Sequence, residues 1–339
     1  MEMEMETLLI LFMRLAWIAA TLPILIASIP IPKLHSLRTI LLGFARRGKI
    51  MHSSSQKFTL PQRFFLHFYI LASIWTTFLL VTTWCYAYTM VPPVKQSSAY
   101  STITSYLIGI GGSFLRTGSP TVQEIHAVWQ AVFLLLLMEA QVLRRLFETI
   151  YVFKYSPSAR MHILGYLAGI FFYLAAPLSL CADCALDVFY FLGNVVSKFI
   201  VVGKDHMPPV EVELWQVVNP LFRIGWRHWI GAAVFFWGWI HQQRCHKILG
   251  SLRDSRQADE YAIPYGDWFE IVSSPHYLSE MVIYGSFVVA TGGSNLTIWL
   301  LLVFVAANLS FAAGEAHRWY HQKFEDYPNS RFAVIPYIL

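Results

Sequence analysis

Four short clusters of polar residues interrupt otherwise apolar stretches of this chain, and these are the places where chemistry can occur. Glu139, Gln141, Arg144, Arg145 and Glu148 close one apolar run, and His241, Gln242, Arg244, His246 and Lys247 lie along another. His276, Tyr277, Glu280 and Tyr284 begin a third, while Glu315, His317, Arg318, Tyr320 and His321 end a fourth. Residues four apart share a helix face, which pairs Gln242 with His246, His276 with Glu280 and Tyr284, and His317 with His321. Arginine holds phosphate oxygens in a bidentate fork, and His, Glu and Tyr move protons. The set therefore suits a phosphate-bearing ligand. Any one of these residues also reads as a helix-end group snorkelling to the interface, but four helices carrying them together mark a candidate site.

Three other motifs carry less. His317-x-x-x-His321 has ligand-like spacing, yet a metal centre needs further His clustered on several helices, and the 12 His are mostly scattered singly. No metal site is expected. Cys181 and Cys184 form C-x-x-C without the second pair that would complete a zinc site, so they read as small residues at a helix end. Gly109-Ile110-Gly111-Gly112-Ser113 lacks the preceding strand and following helix of a dinucleotide fingerprint and reads as a turn.

The elements that must position these residues are hydrophobic. The chain has 339 residues, 56% hydrophobic and 13% charged, where a soluble domain carries about 25% charged residues. It is expected to be an all-α integral membrane protein. A span needs about 20 mainly apolar residues. Candidates are Leu8–Ile31, Phe64–Val91, Val128–Val152, Ile163–Leu180, Trp229–Ile248, Leu278–Ala290 and Leu296–Ala313. Gly292-Gly293-Ser294-Asn295 is the tight turn between the last two. Arg38, Arg46, Arg47, Lys49, Lys57 and Arg63 crowd the first loop, and short basic loops stay cytosolic. With an outside N-terminus, seven spans put this loop, the charged 250–274 loop and the C-terminal tail on the cytosolic side. Counting Ala185–Val202 as a full span would break that agreement, so it is taken as re-entrant, interfacial or part of a long fourth element. The run from 8 to 31 lacks a basic leader and reads as retained. The basic residues flank apolar helices rather than forming a patch, which argues against nucleic-acid binding, and no obligate protein partner is evident.

The tail His317-Arg318-Trp319-Tyr320-His321-Gln322-Lys323-Phe324-Glu325-Asp326-Tyr327-Pro328, continuing from Arg331 to Ile335-Pro336-Tyr337-Ile338-Leu339, resembles the C-terminal signature of the steroid 5-alpha-reductase family. Three segments look like its polyprenol reductase branch: Cys245 to Arg253, Ile263 to Glu280, and Arg144-Arg145-Leu146-Phe147-Glu148-Thr149-Ile150-Tyr151-Val152. The first 130 residues match only as two spans joined by a basic loop.

The resemblance implies a single polytopic reductase domain over 1–339, with seven transmembrane helices in the endoplasmic reticulum, cytosolic loops covering NADPH, and a cofactor-binding signature over 240–339. It implies saturation of the alpha-isoprene unit of a long polyprenyl lipid, supplying dolichol for protein glycosylation. Cofactor contacts would fall on Arg145, Gln242, His246, Arg253, His276, Tyr277, Glu280, Tyr284, His317 and Tyr320. Relatives reducing steroids or enoyl thioesters carry a Tyr three residues before the second Arg, where this chain has Val142. Tyr151, Glu148 or a water held by them would take over as proton donor, so Glu148, Tyr151 and His317 are the catalytic candidates. Hydride adds readily to a C=C bond only when the developing carbanion is delocalised. An α,β-unsaturated aldehyde provides that delocalisation and an allylic alcohol does not, which points to the polyprenal as the immediate substrate.

The rival readings are a steroid or very-long-chain enoyl reductase, against which Val142 and the branch motifs weigh, and a non-catalytic transporter. A third is an isoprenylcysteine-type methyltransferase using S-adenosylmethionine. Its Arg-His-Pro-x-Tyr motif is only faintly echoed by Ser274-Pro275-His276-Tyr277.

Overall fold

The computed structural model describes residues 2–29, 36, 58–90, 121–155, 159–202, 214–254 and 261–338. Their helices are α1 (Glu2–Ser28), α2 (Phe65–Thr89), α3 (Val122–Tyr151), α4 (Ile163–Leu180), α5 (Ala185–Val202), α6 (Leu214–Phe222), α7 (Trp226–Asp254), α8 (Pro275–Ala290) and α9 (Leu296–Lys323). Two three-residue strands, β1 (Thr59–Pro61) and β2 (Arg160–His162), pair antiparallel just before α2 and α4. The protein is an all-α integral membrane protein. By length and composition, α1, α2, α3, α4 and α9 are each able to cross a membrane. Of the other two expected spans, α8 has 16 residues, and α7 carries Arg227, Arg244, Lys247, Arg253 and Asp254 along its length.

Sequence chemistry sets the boundaries. Thr121 and Glu124 form a reciprocal capping box at the start of α3, satisfying two otherwise orphaned amides. Asn295 caps α9 by accepting from the amides of Thr297 and Ile298. Gly292 and Gly293 take φ of 64° and 74°, left-handed values that glycine adopts without strain, and so close the α8–α9 hairpin. Its last helix runs on past Ala313 to Lys323, carrying Glu315, His317 and Tyr320 on regular helix.

Packing then aligns the polar clusters. Helices α7 and α8 approach closely through small residues, as membrane helices do when dispersion and backbone proximity drive association. A Cβ on Gly231 would lie 2.6 Å from Ala290 Cβ, and one on Gly238 would lie 3.0 Å from the Ser279 carbonyl oxygen. This places Gln242, one turn beyond Gly238, against Glu280. Helix α3 lies against α2, and Val128, Val132, Leu135 and Val142 form a buried stripe along it. The core joins Trp17 of α1 to Phe172 of α4 and Phe304 of α9 through ring contacts of 6.1 and 5.2 Å.

Helix α5 touches the end of the bundle formed by the start of α1 and the end of α2. Its Phe191 ring lies 5.6 Å from that of Tyr86, and Tyr190 meets Met5. Val196, Phe199, Ile200 and Val201 in its second half are exposed. The chain after the last helix folds back: Val272 and Phe332 form a parallel bridge, and Ser273 N and Ser274 N donate to the carbonyls of Phe332 and Ala333.

Candidate functional site

The polar residues of α3, α7 and α8 meet at one end of the bundle in a buried network. Gln141, Arg144 or Arg145, and Glu148 recur at i, i+3 or i+4, and i+7, so one face of α3 carries them all. Glu148 is 1% exposed. Its Oε1 accepts from Arg144 Nη1 at 2.7 Å, and its Oε2 lies 2.7 Å from both Arg145 Nη1 and His246 Nδ1. Arg144 also donates to the Gln141 side chain at 2.7 Å and to that of Gln242. Gln141 and Gln242 both donate to Glu280, and Gln242 reaches the His276 carbonyl at 3.2 Å. Arg145 Nη2 donates to the Tyr69 hydroxyl of α2 at 2.7 Å. Trp239 and Phe153 lie under the two guanidiniums. Buried charges persist only when paired and hydrogen-bonded, and here each carboxylate meets several donors.

The folded-back tail builds a second group beside it. Tyr327 donates to Ser273 Oγ at 2.6 Å, and Ser273 Oγ lies 2.6 Å from His317 Nδ1. Tyr320 stacks on Tyr327 at 5.1 Å and 9°. Arg331, 4% exposed, donates to the Pro264 carbonyl through Nη1, while its Nη2 makes no hydrogen bond among the described residues and lies 3.9 Å from Glu270 Oε2. Arg331 lines a cavity of about 380 Å³ with His317, Arg318, Phe332 and Ala333. A buried guanidinium that has donor capacity beyond one carbonyl and one distant carboxylate has the chemistry to take an anionic group.

Known proteins give this geometry a family. Residues 210–339 match the family described as 3-oxo-5-alpha-steroid 4-dehydrogenase. The chain is 56% identical over 325 residues to polyprenal reductase 2 of Arabidopsis thaliana, covering 95% of each chain. It is 52% identical to Arabidopsis polyprenal reductase 1 over 100% of both. It is also 32% identical to the human polyprenal reductase over 84% of this chain and 80% of the relative. The chain belongs to the polyprenal reductase family. The likeness includes the N-terminal third, where the sequence motifs had offered only two spans and a basic loop.

Of the residues expected from that family, Arg145, Glu148, Gln242, His246 and Glu280 share the buried network, with the His276 ring 5.8 Å from His246. Tyr277 packs on His276 at 4.2 Å. Tyr284 is buried against Phe172 and Phe287. His317 and Tyr320 belong to the tail group instead. Tyr151 is 69% exposed on the outside of α3, its ring against Phe147, and the structure does not bring it to the network. The side chain of Arg253 and the segment Gly109 to Ser113 lie outside the described residues. Gln141 and Arg144 stand in the polar clusters but not among the contacts that the resemblance implies, and Tyr69, Ser273, Tyr327 and Arg331 are in neither. The i, i+3, i+7 stripe on α3 signals Gln141 and Arg144. Nothing in an apolar helix signals Tyr69.

Proposed function

We propose that this protein is a reductase that saturates the alpha-isoprene double bond of a polyprenal, giving the dolichal, with NADPH as the hydride source. The observation that carries the reading is a buried polar network at one end of a lipid-facing bundle, in a chain alike over its whole length to polyprenal reductases. The enzyme is an oxidoreductase acting on a CH–CH group. A polyprenyl tail is insoluble in water, and a bundle whose helices expose Leu, Ile and Phe lets it enter from the bilayer while its polar head meets the network.

When bound, a reduced nicotinamide supplies hydride to the β carbon of the unsaturated aldehyde. The protein's part is orientation and charge. Arg331, Arg318 and His317 are suited to hold the cofactor's phosphates, and the 240–339 region, with Arg253, His276, Tyr277, Glu280, Tyr284 and Tyr320, would hold the remainder. Arg144 and Arg145, fixed by Glu148, keep positive charge beside the place where enolate charge grows, which lowers the barrier without reorganisation. We read the network, the tail and the C-terminus as cytosolic, a reading that the parity of seven spans supports, and the enzyme as one of the endoplasmic reticulum, which a role in dolichol supply supports.

The test is cofactor oxidation by the detergent-purified protein given polyprenal, polyprenol, a 3-oxo-4-ene steroid and an enoyl thioester in parallel. Turnover on polyprenal with NADPH in preference to NADH is expected. Turnover on polyprenol with no aldehyde formed, or only on the steroid or thioester, would overturn the substrate assignment.

A further inference from the structure

Saturating an unsaturated aldehyde by hydride leaves negative charge on the carbonyl oxygen, and some group must give that oxygen a proton. Glu148 is not free to do so: its Oε1 accepts from Arg144 and its Oε2 from Arg145, with His246 Nδ1 also 2.7 Å from Oε2. Tyr151 stands on the outer surface. Tyr69 of α2 is 7% exposed, and its hydroxyl accepts from Arg145 Nη2 at 2.7 Å, with the guanidinium 5.0 Å from its ring centroid. Its own proton has no acceptor among the described residues. A phenol that accepts from a fixed guanidinium and still has its proton to give is oriented to donate that proton to a bound oxygen.

Its surroundings suit an isoprene unit. The Tyr69 ring touches Tyr173 at 5.2 Å, Tyr173 touches Phe172 at 5.2 Å, and Phe172 touches Tyr284 at 5.8 Å. These rings form a continuous aromatic wall from α2 across α4 to α8, ending one turn from Glu280.

We propose that Tyr69, held by Arg145, is the catalytic residue that protonates the aldehyde oxygen of the substrate; this rests on the polyprenal reading above. As hydride adds to the β carbon, the C=C electron pair forms the new Cα=C bond. The carbonyl pair moves to oxygen, which takes the Tyr69 proton and becomes an enol. The α carbon then takes one proton from solvent as the enol returns its own to the Tyr69 phenolate. One hydride and one solvent proton are added in all.

The experiment compares wild type with Tyr69→Phe on polyprenal and on a prenyl-tailed nitroalkene, whose nitro group carries the negative charge without being protonated. Turnover of the aldehyde falls about 10²- to 10³-fold, while that of the nitroalkene stays within about threefold. Cofactor binding, read by quenching of Trp fluorescence, stays within about twofold. If Tyr69→Phe loses cofactor binding, Tyr69→His, which keeps a proton donor, is judged on the same pair of substrates. Equal losses on both substrates, or no loss on either, overturn the role of Tyr69. A wild-type enzyme inert on polyprenal overturns the substrate reading and the proposal with it, an outcome visible before any variant is made.

Discussion

The two ends of the helix bundle use polar residues differently. At the end near Cys181, single hydrogen bonds tie helices in pairs. Trp17 donates to Ser179 at 3.0 Å, Arg14 to Thr297 at 3.2 Å, and Asn295 to Asp183 at 2.8 Å. At the other end, α2, α3, α7 and α8 share one network in which Glu148 alone meets two arginines and His246. A single tie can be lost without stranding a charge. A shared carboxylate cannot, since removing one partner of a buried ion pair leaves the others unpaired in a low-dielectric site. One end holds helices together; the other holds a site in shape.

The largest expected effect comes from breaking the network. Glu148→Ala leaves Arg144 and Arg145 uncompensated, costing about 3–5 kcal/mol, and it abolishes turnover; thermal unfolding in detergent and cofactor oxidation measure both. Next is Arg331→Ala. Loss of a charged hydrogen bond of about 1.5–3 kcal/mol weakens cofactor binding roughly 10- to 100-fold and changes kcat far less. Titration of Trp fluorescence with NADPH separates the two, and a fall in kcat alone would detach Arg331 from the cofactor.

At the opposite end, Asn295→Ala removes a helix cap and costs about 1 kcal/mol of stability with turnover per folded enzyme unchanged. A comparable loss of activity there would erase the contrast between the ends. The smallest effect is expected from Tyr151→Phe, an exposed position where turnover stays within about twofold; a large loss would return Tyr151 to the site.

The helices were legible because their signal is local. Hydropathy and the Gly292-Gly293 break place α1, α2, α4, α8 and α9 to within a few residues at most ends. The exceptions are α1, which begins at Glu2 rather than Leu8, and α9, which continues to Lys323 because His317, Arg318 and Tyr320 are compatible with helix even where hydropathy falls. Four-residue spacing also gave the right faces for Gln242 with His246 and for His276 with Glu280. What it could not give was partners. Tyr69 and Arg145 are 76 residues apart, and their contact depends on the packing of α2 on α3. The separation of His317 from Glu148 has the same origin. The tail that carries Tyr327 and Arg331 returns to pair with Val272 to Ser274, which no spacing within either segment reveals.

The central claim is that hydride is delivered to the β carbon of an aldehyde held beside the arginine network. It is tested most directly by turning over polyprenal with NADPH deuterated at the transferable position and locating the label in the product by mass spectrometry and NMR. One deuterium on the β carbon of the alpha-isoprene unit, with the aldehyde retained, is the result expected. Deuterium on the carbonyl carbon, with the double bond intact, would contradict the account.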